Sequence, residues 1–150
     1  MITVSSDVRV TAGPDRVFAF LDTPANHERL SPSIASVHDA EPLDGGGHRA
    51  AYTYRMVGVS LAGEIETTRH EPPERLTFAI RGGIDGEMDW RIESADDGAL
   101  VTCEATFEVP GGALGSVVEP VVRAYNQREL DETLANLRDA FEGEAADAET

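Results

Sequence analysis

The side chains that could carry chemistry are few and scattered. The chain has four histidines, His27, His38, His48 and His70, and one cysteine, Cys103. No H-x-x-x-H or H-E-x-x-H pair occurs, so the spacing that sets two imidazoles on one helix face is absent and no metal site is expected. Cys103 stands among apolar neighbours and reads as an inert core thiol, and a lone cysteine excludes an internal disulfide. His38 has the best claim to general acid–base work, because imidazole titrates near neutrality, although a histidine in such a strand more often edges a sheet. His38 and Asp39 adjoin on a strand and are expected on opposite faces. Arg69 shares a face with Ile65 and Thr67 and is a candidate inward charge. The Gly45-Gly46-Gly47 and Gly111-Gly112 runs fit a hairpin and a loop before a helix better than a phosphate cradle. No residue stands out as catalytic, and no cofactor is implied.

A second group of residues is suited to holding a molecule. Arg123 offers a planar fork that grips a carboxylate bidentately, and Asn126 an amide that orients a carbonyl. Ser116 and Glu119 lie on the same helical stripe and read as solvated. An apolar lining is expected from Tyr52, Tyr54, Met56, Phe78, Met88, Trp90, Phe107 and Leu130. The same residues would also suit a solid core, since interiors pack to crystal-like density and periodicity does not measure a void.

These residues must be positioned by an ordered series of elements. Residues 2–10 are β-branched with Val8 and Val10 at period two, a strand pattern. Pro14 sits where a first helical turn tolerates it, and Val17, Phe18 and Leu21 recur three and four apart, so 14–21 reads as a short helix. A second short helix runs from Pro24 to Leu30 and ends before Ser31-Pro32. Strands follow at 34–42, 47–57, 59–71, 75–81, 86–95 and 99–109, separated by glycine, aspartate and proline turns. Such short connections imply an antiparallel meander. Alternation then assigns faces: Met88, Trp90 and Ile92 oppose Glu87, Asp89 and Arg91, and Val101, Cys103, Ala105 and Phe107 oppose Thr102, Glu104 and Thr106.

A helix over 113–141 is expected to cover the apolar face. Its apolar residues fall in two directions: Leu114, Val117, Val118, Val121, Val122 and Tyr125 in one, and Leu130, Leu134, Leu137 and Phe141 in roughly the opposite one. The two halves are therefore expected to bury different faces, with the switch near 126–129 and a kink or break at Pro120. Residues 1–141 form one domain, and 142–150 read as an acidic disordered tail.

The charge balance is lopsided: 28 acidic residues face 12 basic ones, all arginine, for a net charge of −16. That opposes binding to nucleic acid and to anionic lipid surfaces. The acids are spread along the chain, which suits a protein living in a very salty cytoplasm, where screening within about 3 Å at ~1 M salt relieves self-repulsion. The N-terminus lacks a signal-peptide layout and no apolar run reaches spanning length, so a cytoplasmic protein without stable membrane insertion is expected.

Strand, two short helices, six-strand meander and long C-terminal helix is an order that resembles the START-like SRPBCC superfamily, which includes the birch-pollen-allergen fold, polyketide cyclases and lipid-transfer domains. VTAGPDRVFAFLDTPANHERLSP looks like that family's opening strand and helix pair, and FEVPGGALGSVVEPVVRAYNQRELDETLANLRDAFE like its last strand and gripping helix. The likeness extends to about residue 142, with one departure: many members carry a tryptophan before the second strand, where this chain has Leu30-Ser31-Pro32. The resemblance implies an α+β helix-grip fold with a curved antiparallel sheet of about seven strands. It also implies a cavity between sheet and C-terminal helix that binds or carries a lipid, isoprenoid or polyketide-like molecule. The alternative is a polyketide cyclase or dehydratase using the same cavity. Binding is favoured, because alternation puts most Asp and Glu on the outer face. A homodimer or protein partner would engage Val117, Val118, Val121 and Val122.

Overall fold

The computed structural model describes residues 2–56, 58–108 and 119–149, with side chains throughout except those of Met56, Val59, Glu119 and 143–149. In chain order the elements are β1 (Ile2–Val10), α1 (Pro14–Asp22), α2 (Pro24–Leu30), β2 (Ile34–Pro42), β3 (His48–Met56), β4 (Val59–Glu71), β5 (Arg75–Gly82), β6 (Asp85–Ala95), β7 (Gly98–Glu108) and α3 (Glu119–Glu149). The strands form one sheet in the order β1-β7-β6-β5-β4-β3-β2, every pairing antiparallel. β2 to β7 are the expected meander. β1 adds beyond β7, with Val4 opposite Ala105 and Val8 opposite Val101. The α1–α2 corner therefore carries the chain from one edge of the sheet to the other.

Prolines open both short helices, in first-turn positions where the missing N–H costs nothing. The end of α1 would leave carbonyls unpaired, and side chains from the next few residues take them. The Thr23 hydroxyl donates to Ala19 O (3.1 Å), Asn26 Nδ2 to Phe20 O (3.0 Å) and His27 Nε2 to Leu21 O (2.6 Å). The two helices are thus locked into one corner, and α1 lays Val17, Phe18 and Leu21 on the sheet. At the β2–β3 turn Gly46 and Gly47 adopt φ of 100° and 81°, and a Cβ on either would overlap His70 or Thr67.

Alternation holds along the central strands. Trp90 and Ile92 on β6, and Val101, Cys103, Ala105 and Phe107 on β7, are buried on the inner face. The outer face is not uniformly wet, for Thr77 is buried there beneath an ion cluster. Arg75 holds Asp89 through two hydrogen bonds (3.1 and 2.8 Å), joined by Thr77 Oγ1 (3.0 Å) and Arg91 Nε (3.3 Å). Burial alone would raise the Asp89 carboxyl, but these donors together hold it below the ordinary range.

α3 departs from expectation in two ways. It is described from Glu119 on, and the expected residues 113–118, with the kink or break expected at Pro120, lie outside what is described. Its buried positions, Val122, Asn126, Leu130, Thr133, Leu134, Leu137 and Phe141, recur three and four apart and so occupy one face. The expected switch of faces near 126–129 is absent: Val122 joins the stripe of the leucines, while Val121 is half exposed. Helical structure also continues to Glu149, past the expected end at 141.

That stripe leans chiefly on β1 and α2. Gln127 Nε2 donates to Ser5 O and Asn136 Nδ2 to Leu30 O, each at 2.8 Å. Phe141 meets Phe20 edge-on at 5.4 Å between centroids. Because the helix rests on the sheet's first strand and on the α2 corner, the inner face of the middle strands is left incompletely filled.

Candidate functional site

A cavity of about 120 Å³ lies between the middle of the sheet and α3. Phe78, Met88 and Phe107 come from β5, β6 and β7, and Tyr52 and Tyr54 from β3, all residues the alternation had put inward. Asn126 and Leu130 on α3 also line it, as their place on the stripe predicts.

Two of the residues expected to contact a ligand are not brought there. Trp90 has the right face but the wrong position along its strand; it is fully buried in the core, with the His27 ring 6.0 Å away, centroid to centroid. Arg123 is exposed and does not line the cavity. The side chain of Met56 lies outside the described residues. Nor do the candidate acid–base groups point inward. A register shift between His38 and Glu41, with Asp39 at φ 55°, turns His38 and Asp39 to within 3.7 Å of each other on the surface. Arg69 instead pairs with Glu71 at 3.4 Å. Cys103 is buried, and desolvation pushes its thiol well up.

Apart from Glu87 of β6, which is exposed, the charged and hydrogen-bonding groups added to the wall come from helices and a loop, where the strand pattern could not reveal them. His27 on α2, Ser31 just after it, and Glu129 and Thr133 on α3 all border the cavity. Helical spacing was the available signal: His27 lies three residues from both Pro24 and Leu30, and all three are buried. Glu129 likewise lies three residues from Asn126.

His27 is held edge-on to Phe78 at 5.3 Å. Burial lowers its pKa, partly opposed by the bond to the Leu21 carbonyl and by the Asp22 charge. The ring is thus neutral, and because a carbonyl can only accept, Nε2 carries the proton and Nδ1 the lone pair. No hydrogen bond to Nδ1 is present among the described residues.

Glu129 organises the other polar patch. Its Oε1 accepts from Ser31 Oγ (2.8 Å) and from the Ser33 backbone N–H (2.7 Å). Ser33 Oγ bonds the Tyr125 hydroxyl (2.7 Å), which donates to Arg55 O (3.1 Å). Tyr54 reaches Asn126 Oδ1 at 3.4 Å, while Asn126 Nδ2 donates to Val122 O at 2.8 Å. Burial, then the Glu129 charge, pushes the Tyr54 phenol far up, so it stays a neutral donor. Burial also raises Tyr52, whose hydroxyl lies beside the Ile84 backbone without a well-formed hydrogen bond to any described residue.

A separate cluster lies at the α1–sheet junction, where Asp22 sits 3.1 Å from His70 and 3.8 Å from His48. Among the described residues no three histidine, cysteine or acidic side chains are arranged to hold a metal ion, and no described helix is long and apolar enough to cross a membrane.

A curved antiparallel sheet gripped by a C-terminal helix around an apolar cavity defines a START-like helix-grip protein. The model of the family described as polyketide cyclase / dehydrase and lipid transport matches residues 1–142, and the chain belongs to that family. Among solved structures, a Thermus thermophilus protein is similar at 17% identity and a TM-score of 0.80, covering 91% of this chain and 94% of that one. A START superfamily protein from Mycobacterium smegmatis is similar at 16% identity and a TM-score of 0.77, covering 94% and 97%. The di-domain ARO/CYC StfQ from the steffimycin biosynthetic pathway is similar at 13% identity and a TM-score of 0.74, over 97% of this chain and 52% of StfQ. No curated protein matches the chain.

Proposed function

We propose that this domain binds a small, largely apolar molecule in the cavity between sheet and α3. The observation that carries this reading is unfilled space walled by Tyr52, Phe78, Met88, Phe107 and Leu130, where ordinary packing would leave none. A dry cavity of about 150 Å³ takes up benzene, so about 120 Å³ suits a ligand of roughly one ring, and a larger one requires α3 or the sheet to give. Membership of a lipid-transport and cyclase family supports the same reading. Native mass spectrometry of protein purified from its own cells tests it. An apolar adduct is expected; bare chain, together with no chemical-shift response to p-xylene, refutes binding.

A second reading, cyclase- or dehydratase-like catalysis in the same cavity, is favoured by one observation. A neutral imidazole, His27, and a carboxylate, Glu129, stand in the same apolar wall, an acid–base complement that strand alternation had denied. Aldol ring closure of a 1,5-diketone probe to a cyclohexenone, with loss of water, that is lost in His27→Gln while binding persists would establish it, and binding without turnover would leave the carrier reading. We further propose that the acidic surface suits the chain to a cytoplasm of molar salt.

A further inference from the structure

We propose that His27 receives a hydroxyl group of the bound molecule, so that the cavity selects neutral ring compounds bearing an O–H donor and rejects carboxylates. This rests on the cavity being a ligand site and adds the class of ligand it takes.

The wall is largely apolar, and at His27 it offers a ligand an acceptor. His27 has committed its one N–H to Leu21 O at 2.6 Å, which leaves Nδ1 as a lone pair. That ring borders the cavity between Phe78 and Trp90, neither of which can donate to it: Phe78 has no donor, and the Trp90 Nε1–H is buried with no partner. An apolar occupant would cover this acceptor and leave it unpaired, which is costly, so an occupant with an O–H gains at this point what a hydrocarbon does not.

The donors in the same wall are already engaged, except the Tyr52 hydroxyl, which is buried beside the Ile84 backbone without a partner. Ser31 Oγ gives its proton to Glu129, Thr133 Oγ1 to the Glu129 carbonyl at 2.8 Å, and Tyr54 to Asn126. The charges that border the cavity among the described residues are both negative, Glu87 and Glu129, and no arginine is among them. Arg123, the side chain best suited to a carboxylate, is exposed instead. An anionic ligand would thus be desolvated beside Glu129 with no cation to meet it, an unfavourable exchange. A neutral phenol, enol or alcohol meets none of that penalty and satisfies Nδ1.

Three isosteric probes separate these terms: p-xylene for the cavity alone, p-cresol for the hydroxyl and p-toluate for the carboxylate, each titrated calorimetrically into wild type and His27→Gln. Glutamine keeps an N–H for Leu21 O and exchanges the imidazole lone pair for the weaker acceptor of an amide oxygen. Wild type is expected to bind p-cresol at least as tightly as p-xylene and p-toluate much more weakly. His27→Gln is expected to weaken p-cresol by about threefold to tenfold, with p-xylene nearly unchanged. In wild type, the ¹⁵N resonance of His27 Nδ1 should move with p-cresol and not with p-xylene, and this readout decides the matter if the variant does not fold. Binding of p-xylene with an Nδ1 resonance indifferent to p-cresol, or p-toluate binding as tightly as p-cresol, overturns the assignment and leaves the cavity reading intact. Failure of all three probes refutes the cavity reading itself, and the assignment with it.

Discussion

Acidification should destabilise this protein through His27 before it reaches the carboxylates, and the size of the effect follows from linkage. In the unfolded chain His27 titrates near its ordinary value of 6.5; in the folded protein burial holds its pKa below that. Above 6.5 both states are neutral at this site and it contributes no pH dependence. Below it the unfolded chain binds a proton that the folded protein refuses, so stability falls as pH falls, until the folded pKa is reached. With the folded ring still neutral, moving from pH 7 to 5.5 costs about 1.3 kcal/mol through this one group. At about 2–4 °C per kcal/mol for a chain of this size, that lowers the Tm by about 3–5 °C. Other groups titrate in the same range, and protonating an acidic surface also relieves repulsion. The informative quantity is therefore the difference between wild type and His27→Gln, melted in parallel at about 2 M KCl, where surface charge is screened. The variant will be less stable throughout, having lost ring packing on Phe78 and Trp90, but its curve should lack the extra acid slope. Parallel curves from pH 7 to 5.5 would refute the buried, neutral placement of His27 and, with it, the lone pair offered to the cavity.

Four other outcomes are expected. Leu134→Ala, at a fully buried position of the α3 stripe, should cost about 2–5 kcal/mol, whereas Val121→Ser on the exposed side should stay within about 0.5 kcal/mol; equal losses in urea melts would restore two buried faces. Asp89→Asn should cost about 1–3 kcal/mol at neutral pH, and no loss would show that solvent screens the outer-face cluster. Trp90 should emit at short wavelength and resist acrylamide, and respond to p-cresol only through His27; a red, quenchable emission would reverse the face assignment of β6. Raising KCl from about 0.1 to about 2 M should raise the Tm by relieving repulsion at net charge −16, and an unchanged midpoint would remove the case for salt adaptation.

The strands were legible because their information is local. Period-two alternation between glycine and aspartate turns recovered β2 and β4 to the residue, and it put Phe78, Met88 and Phe107 on the correct face. What alternation does not encode is position along the sheet normal to that face. Trp90 follows Met88 at the same period, yet one lines a cavity and the other is sealed, because α1 and α2 happen to lie over one and not the other. The helix was harder. Val121 and Val122 are chemically identical neighbours, and only the edge of β1 decides that one is buried and the other half exposed. Asn126 is polar and nonetheless buried, because Val122 O and Tyr54 satisfy it. His27 was invisible as chemistry because its tautomer is set by a carbonyl of a different helix.

The same geometry explains why most of the cavity's polar groups gather at its helical side. A strand that placed a charge inward would put it between two apolar neighbours at period two, with sheet on both flanks and no free backbone donor to meet it. A helix end or a loop supplies such donors: the Ser33 N–H and the Ser31 hydroxyl sit just past α2 and together hold Glu129. So the acidic residues of the strands stay on the outer surface, apart from Glu87 of β6, which borders the cavity while exposed, and one half-buried carboxylate, Glu129, reaches the wall by way of α3. These two populations of charge respond differently to salt. The outer ones lose their reach once the Debye length falls to about 3 Å; Glu129, half-buried against Ser31 and Ser33, is screened much less. Discrimination against an anionic ligand that fades in molar KCl therefore belongs to the surface, and discrimination that survives belongs to the cavity wall.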